Sequence, residues 1–151
     1  VGFFHPFCAG GGGGERVLWR AVLALSSLSK DMGRPLHVLV YTGDLGMSPE
    51  DILSGVARQF DLSIDPAELS VSFVYLRCRG LLDPSLYPVF TMLAQSIASM
   101  VVAAEALFRA TPDVFFDTTG FAFSFPVAWV AGCSVGAYVH YPTISMVRKQ
   151  C

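Results

Sequence analysis

The chain has 151 residues, of which 53% are hydrophobic and 15% are charged, and its mean hydropathy is +0.53. One ordinary domain core is therefore expected, with a single domain over residues 1–151. The formal net charge of −2, with ten basic residues scattered singly, argues against a nucleic-acid surface. The four cysteines form no CxxC pair or cysteine–histidine cluster, which favours reduced thiols over a structural zinc or a disulfide framework.

The first element is a strand at residues 1–4, which a run of five glycines, Gly10 to Gly14, connects to a helix beginning around Glu15. Glycines carry no Cβ atom and permit positive φ, so consecutive N–H groups can line a concavity in front of the positive end of the helix. Such a turn suits an anion, most often a phosphate. The alternatives are a tight strand-to-helix crossover and a flexible loop.

Spacing excludes two familiar phosphate loops. No Gly-Lys-Ser/Thr follows the glycines, so the segment is not a P-loop. The dinucleotide fingerprint requires glycine at the first, third and sixth places, but the sixth place counted from Gly10 is Glu15. Because the loop contains no lysine, it supplies no mobile positive charge of its own. Such a loop suits a diphosphate whose charge is neutralised partly by another domain or by Arg16. Glu15 would repel a phosphate, so we expect its carboxylate to point away or to pair with a base.

Helices and strands then alternate along the chain. A helix stripe runs from Val17 to Leu28, and Ser48-Pro49 opens a second helix with a capping serine and a proline in its first turn. Apolar runs predict strands at 36–41, 71–76, 113–117 and 134–140, with a long helix at 85–108 and a short helix at 121–131 that Pro126 interrupts.

This alternation predicts a doubly wound α/β sheet with parallel strands, most simply in the order 3-2-1-4-5. Ligands of such sheets bind beyond the carboxyl ends of the strands where the winding reverses, here between strands one and four. The glycine loop, the turn at 117–120 with Asp117, and the segment 140–143 with His140 should meet there. Aspartates that close parallel strands often bond the adjacent loop, so we expect Asp117 to support the site rather than to act as a base.

The long helix is apolar enough to raise the question of a membrane. No charge occurs between Asp83 and Glu105, a stretch of 21 residues that would span about 30 Å. Its prolines and polar residues, and the need for a crossover to cover the sheet, favour a buried or membrane-surface helix over a true span. Met92 and Met100 would let the domain rest on a bilayer, although we expect core packing to take most of the stripe.

Several motifs together resemble one family. They are the segments 3–8 (FFHPFC), 11–19 (GGGGERVLW with the first glycine at 11), 41–44 (YTGD), 83–87 and 138–145 (YVHYPTIS). They are similar to the N-terminal half of the α-1,2-mannosyltransferases of asparagine-linked glycosylation, members of glycosyltransferase family 4. The resemblance spans nearly the whole chain. It departs at Ala9-Gly10, where a polar residue followed by alanine is expected.

The resemblance implies a two-domain GT-B enzyme, in which the present Rossmann-like domain receives the acceptor and an additional C-terminal domain holds the sugar nucleotide. The implied reaction is retaining, metal-independent and without cofactor. It transfers mannose from GDP-mannose to a dolichol-diphosphate oligosaccharide at the cytosolic face of the endoplasmic reticulum membrane. The chain alone is expected to be inactive.

The same resemblance assigns roles to particular residues. Gly12, Gly13 and Gly14 would face the donor diphosphate, with Arg16 as a further contact. His140 would approach the transferred sugar as the catalytic residue. Supporting or acceptor-side positions are His5, which is placed to orient the glycine loop, together with Asp117, Tyr141 and Thr143.

Two other functions stay open at this point. One is a non-catalytic, membrane-recruiting subunit that pairs with a separate nucleotide-binding chain. The other is a nucleotide-cofactor domain, which Asp44 keeps possible because it ends strand two, where such enzymes hold ribose. The failed glycine spacing disfavours this second alternative.

Overall fold

The computed structural model describes residues 1–8, 10–62, 64 and 69–138. Five strands alternate with helices along the chain. In order they are β1 (Gly2–Phe4), α1 (Gly13–Met32), β2 (His37–Thr42), α2 (Pro49–Phe60), β3 (Ser70–Tyr75), two 3₁₀ segments (Arg77–Leu82 and Pro84–Leu86), α3 (Thr91–Arg109), β4 (Val114–Asp117), α4 (Ser124–Val130) and β5 (Ser134–Ala137).

The strands form one parallel sheet in the order β3-β2-β1-β4-β5, which confirms the predicted doubly wound α/β fold. Successive side chains of a strand point to opposite faces, and each face has its own core. Phe3 packs with α1 and α2 on one face, and Phe4 packs with α3 and α4 on the other. Strand β1 therefore lies at the centre of the sheet, with the winding reversing between β1 and β4.

Helix α2 begins as its sequence predicts. Ser48 Oγ accepts the N–H of Asp51 at 3.1 Å, and the Asp51 carboxylate accepts the N–H of Ser48 at 3.3 Å. This is a reciprocal capping box, followed by Pro49 at the first helical position, where its missing N–H costs nothing. The helix thereby starts at a defined point behind the glycine loop.

The long helix begins six residues later than predicted, at Thr91 instead of Ser85. Pro88 disfavours helical geometry at Tyr87, whose φ and ψ are −124° and 81°, and the two 3₁₀ segments occupy this part of the chain. In α4, by contrast, the helix starts at Ser124, so Pro126 falls in its first turn and does not interrupt it. The predicted end of β5 at 140 lies outside the described residues.

Helix α3 is packed on one side only. Its small residues face the sheet, and they include Ala98, Ser99, Val102, Ala103 and Ala106. Larger side chains are exposed, with Met92 at 84% and Phe108 at 93%. Among the described residues this helix alone is long and apolar enough to cross a membrane, and 33% of its most apolar window is buried. The expectation that core packing takes most of this stripe is therefore wrong.

Candidate functional site

The glycine loop lies at the carboxyl edge of the sheet, directly after the central strand β1. Helix α1 begins at Gly13 with Gly12 as its N-cap residue, and no side chain caps it. The loops after β2 and β4 reach the same edge, because Gly43 N–H donates to Pro6 O at 3.0 Å and Thr118 N–H donates to Phe4 O at 3.4 Å. The residues that directly follow β1 therefore lie beside the loops after β2 and β4. The predicted meeting of the glycines with the 117–120 turn and with the segment 140–143 stays a prediction, and 140–143 lies outside the described residues.

Glu15 binds the loop that precedes its own helix. One carboxylate oxygen accepts the N–H of Gly10 at 2.7 Å, and the other accepts the N–H of Gly11 at 2.9 Å. The side chain is buried, with the residue 5% exposed. The carboxylate binds amides of the loop, partners that the sequence did not predict, and the expectation that it points away from a bound phosphate stays a prediction.

Gly11 is the position at which the loop requires glycine. Its φ is +75°, in the left-handed region that a side chain disfavours. A Cβ atom built there would lie 2.1 Å from Nε2 of Gln59 on α2. The backbone geometry therefore disfavours a side chain, and the exposed side chain of Gln59 would also have to move aside.

The next residues of the loop are open to solvent at Gly12 and Gly13. The first intrahelical bond runs from Arg16 N–H to Gly12 O at 3.3 Å, which leaves the N–H groups of Gly13 and Gly14 without helical partners. Gly12 and Gly13 are exposed, and Cβ atoms built on them would meet no heavy atom within 4 Å. Arg16 is exposed in the same turn. The loop thus presents open backbone at the positive end of α1.

Asp44 ties the loops after β1 and β2 together. One carboxylate oxygen accepts the N–H of Cys8 at 2.8 Å and the hydroxyl of Thr42 at 3.1 Å. The other oxygen accepts from the guanidinium of Arg79, which also lies 5.0 Å from the centre of the Phe7 ring. With its carboxylate engaged by three partners, Asp44 is not arranged to receive a ribose, which removes the main support for a nucleotide-cofactor domain.

Cys8 contributes to the same arrangement as a neutral thiol. Burial raises the pKa of the Cys8 thiol well above its ordinary value, and the thiol donates to the carbonyl oxygen of His5 at 3.1 Å. This bond and the Asp44 contact hold the chain just before the glycines. We assign Cys8 a structural role rather than a nucleophilic one, because a protonated thiol is a poor nucleophile.

Asp117 and His5 hold the turn after β4. The fully buried Asp117 accepts the N–H and the hydroxyl of Thr119, both at 2.7 Å, and the N–H of Gly120 at 3.1 Å. His5 Nδ1 lies 2.7 Å from the hydroxyl oxygen of Thr118. Asp117 thus bonds the adjacent turn, as closing aspartates often do, and the ring of His5 is connected to the same turn, while the roles of both residues at a functional site stay predictions.

Comparison with known proteins decides the family. The family model described as ALG11 mannosyltransferase N-terminus matches residues 1–149. The chain belongs to this family. No solved structure matches the chain significantly.

Similar curated proteins share one name, GDP-Man:Man(3)GlcNAc(2)-PP-Dol alpha-1,2-mannosyltransferase. The Xenopus tropicalis protein is 48% identical over 147 residues, 97% of this chain and 29% of the relative. The human protein is 48% identical over 147 residues, 96% of this chain and 28% of the relative. The Candida glabrata protein is 42% identical over 151 residues, 98% of this chain and 29% of the relative. The chain thus spans less than a third of the length of these relatives.

The remaining site predictions for this member of the ALG11 N-terminal family fall at its end. His140, Tyr141 and Thr143 lie outside the described residues, so their roles stay predictions. Among residues 1–8, 10–62, 64 and 69–138, no three His, Cys, Asp or Glu side chains are grouped so as to hold a metal ion.

The contacts of Glu15 and Arg79 were not predicted from the sequence. A carboxylate three residues after an N-cap is the one signal that pointed to Glu15.

The glycines of the loop should differ in their tolerance of a side chain. Gly11→Ala should lower the free energy of unfolding by about 1–2 kcal/mol, because alanine is strained at positive φ and would displace Gln59. Gly13→Ala, the matched control, should change it by no more than about 0.5 kcal/mol. Urea unfolding of the two variants measures both values, and equal losses would contradict the loop geometry.

Proposed function

We propose that the chain is the acceptor-side domain of a retaining α-1,2-mannosyltransferase that uses GDP-mannose and a dolichol-diphosphate-linked oligosaccharide. The observation that carries this proposal is the open backbone of Gly12 and Gly13, followed by the N–H of Gly14 without a helical partner, in a chain that belongs to a mannosyltransferase family. The name shared by the relatives indicates the donor, the acceptor and the linkage.

The proposed role of the glycine loop is to receive the donor diphosphate. The N–H groups of Gly13 and Gly14 and the positive end of α1 offer hydrogen bonds and partial positive charge to phosphate oxygens. The exposed guanidinium of Arg16 adds a full charge beside them. These donors would stabilise the diphosphate as it leaves mannose, and the proposal assigns this work to protein groups without a metal ion or cofactor. A second domain, absent from residues 1–151, would hold the nucleoside.

A side chain on the open face of the loop should interfere with the donor. In a complete transferase containing this domain, Gly13→Val should lower turnover at limiting GDP-mannose by about tenfold or more, because the branched side chain keeps phosphate from the backbone. The melting temperature should change little, since a Cβ atom at Gly13 meets nothing within 4 Å.

Gly46→Val is the matched control, because Gly46 lies in the loop after β2 and a Cβ atom there also meets nothing within 4 Å. Its kinetics should stay near those of the unmodified enzyme. Unchanged kinetics in Gly13→Val would remove the loop from the donor site.

His140 is the proposed catalytic residue, on the strength of the family motif and of its place after β5. An imidazole that contacts the transferred mannose can bond a hydroxyl or stabilise charge as the glycosidic bond breaks. His140→Ala in the complete enzyme should therefore reduce the rate by about 100-fold or more. Turnover and melting temperature should be measured on the same variant. Near-normal turnover, or an activity loss proportionate to a loss of stability, would argue against a catalytic role.

The exposed apolar side chains of α3 support the proposal that the domain binds the cytosolic surface of the endoplasmic reticulum membrane. Leu93 and Ile97 are both exposed, and their spacing of four residues places them on one side of the helix. Exposed apolar side chains at a helix surface gain by leaving water for the acyl boundary of a bilayer. A membrane-bound position would bring the domain to an acceptor that is itself anchored in lipid.

Vesicle binding tests this placement. The chain should sediment with phosphatidylcholine–phosphatidylinositol vesicles, and Leu93→Glu/Ile97→Glu should lower its partition coefficient by about tenfold or more, because two apolar contacts are lost. Leu28→Glu/Met32→Glu is the matched control, since both residues are exposed on α1 at the opposite face of the sheet. Equal losses in the two double variants would refute a specific α3 surface.

A further inference from the structure

Glu15 accepts hydrogen bonds from residues farther back along the chain than an acid at its place in a helix usually does. Gly12 is the N-cap of α1, so Glu15 occupies the third helical position. In a capping box an acid at this position accepts the N–H of the N-cap residue itself. Here the carboxylate passes the N-cap and takes the N–H groups of Gly10 and Gly11, at 2.7 Å and 2.9 Å. The amide of Gly12 is thereby left out of the carboxylate's hydrogen bonds.

These two bonds order a segment that has no side chains of its own. Glycines lose more conformational freedom on ordering than any other residue. A loop of free glycines would have to be ordered when a ligand binds, and that cost would weaken binding. Glu15 is buried and anchored in the first turn of α1, so it holds the loop from inside while the packing of Gln59 against Gly11 limits it from α2.

Glu15 affects donor binding in two opposing ways, through its charge and through its hydrogen bonds to the loop. A carboxylate close to the loop repels a phosphate, but both of its oxygens are directed at amides that precede the helix. The amides that remain for a ligand belong to the residues after Gly11. A Cβ atom built on Gly12 or Gly13 would meet no heavy atom within 4 Å. The ordering of the loop by Glu15 therefore favours donor binding, whereas repulsion between its carboxylate and the phosphate opposes it. Because the side chain is buried and both of its oxygens are bound to Gly10 and Gly11, we expect ordering to outweigh repulsion.

We propose that Glu15 is a positioning residue for the donor diphosphate, holding Gly10 and Gly11 so that the backbone from Gly12 to Gly14 is presented outward. The inference rests on the proposed function, since it names how that site is kept ready for GDP-mannose. Glu15 does not contact the donor. It acts through the loop, by occupying the amides of Gly10 and Gly11 and leaving those of the later glycines to phosphate.

Steady-state kinetics of the complete transferase test the inference. Glu15→Ala should raise the KM for GDP-mannose by about tenfold, the scale of losing hydrogen bonds to a charged group, and should leave the KM for the lipid-linked acceptor within about twofold. Glu15→Gln keeps the size of the side chain and one acceptor oxygen, so its donor KM should fall between those of the unmodified enzyme and Glu15→Ala. Where Glu15→Ala fails to fold, the isosteric variant carries the test, with a donor KM raised several-fold.

Glu50→Ala is the matched control, because Glu50 is an exposed acid in the first turn of α2. Its kinetics should be unchanged. A donor KM that stays constant or falls in Glu15→Ala, or a parallel change for donor and acceptor, overturns the positioning role while leaving the mannosyltransferase proposal intact. Absence of mannosyl transfer by the unmodified complete enzyme overturns the proposed function, and the inference with it.

Discussion

The position of β1 at the centre of the sheet is the constraint on which the rest of the molecule depends. This strand is only three residues long, yet every one of them is buried and it pairs with both β2 and β4. A Cβ atom at Gly2 would lie 2.8 Å from both Pro112 and Tyr41, so even its first residue is closely covered. A strand held this way directs the following loop to the carboxyl edge, at the point where the winding reverses.

At that edge, three acids bind backbone amides of the loops. Glu15 accepts from Gly10 and Gly11, Asp44 accepts from Cys8, and Asp117 accepts from Thr119 and Gly120. Glu15 and Asp117 thus bind the loops next to them in sequence, whereas Asp44 joins the loop after β2 to the loop after β1. Backbone N–H groups must find acceptors when they are held away from water, and these bonds meet that need. The open backbone at Gly12 and Gly13 is the part of the glycine loop that remains for a ligand.

Local patterns were sufficient to predict much of the fold. Apolar runs separated by helical stripes indicated the strand order, and Ser48 with Pro49 indicated the start of α2, because both signals arise from neighbours in sequence. The start of α3 was predicted too early, since its apolar stripe extends back through Pro84 and Pro88, where proline geometry prevents a regular helix.

Contacts between distant residues could not be read from the same patterns. The pairing of Asp44 with Arg79 joins positions 35 apart, and no periodicity points to it. Glu15 was known to lie at a helix start, but which amides it would bind depends on the path of the glycines, and only the folded loop defines that path. Exposure at Met92 and Met100 was anticipated, but the extent of the exposed side of α3 was underestimated, because composition does not tell which apolar residues the sheet covers.

The central claim is that the carboxyl edge of this sheet holds a donor diphosphate on the backbone of the glycine loop while Glu15 keeps the loop in place. The most direct measurement is an experimental structure of the complete transferase with GDP bound. The account predicts phosphate oxygens within hydrogen-bond distance of the amides from Gly12 to Gly14, about 2.7–3.2 Å, with both Glu15 oxygens still on Gly10 and Gly11. A diphosphate bound away from these amides, or a Glu15 carboxylate displaced from the loop by phosphate, would contradict it.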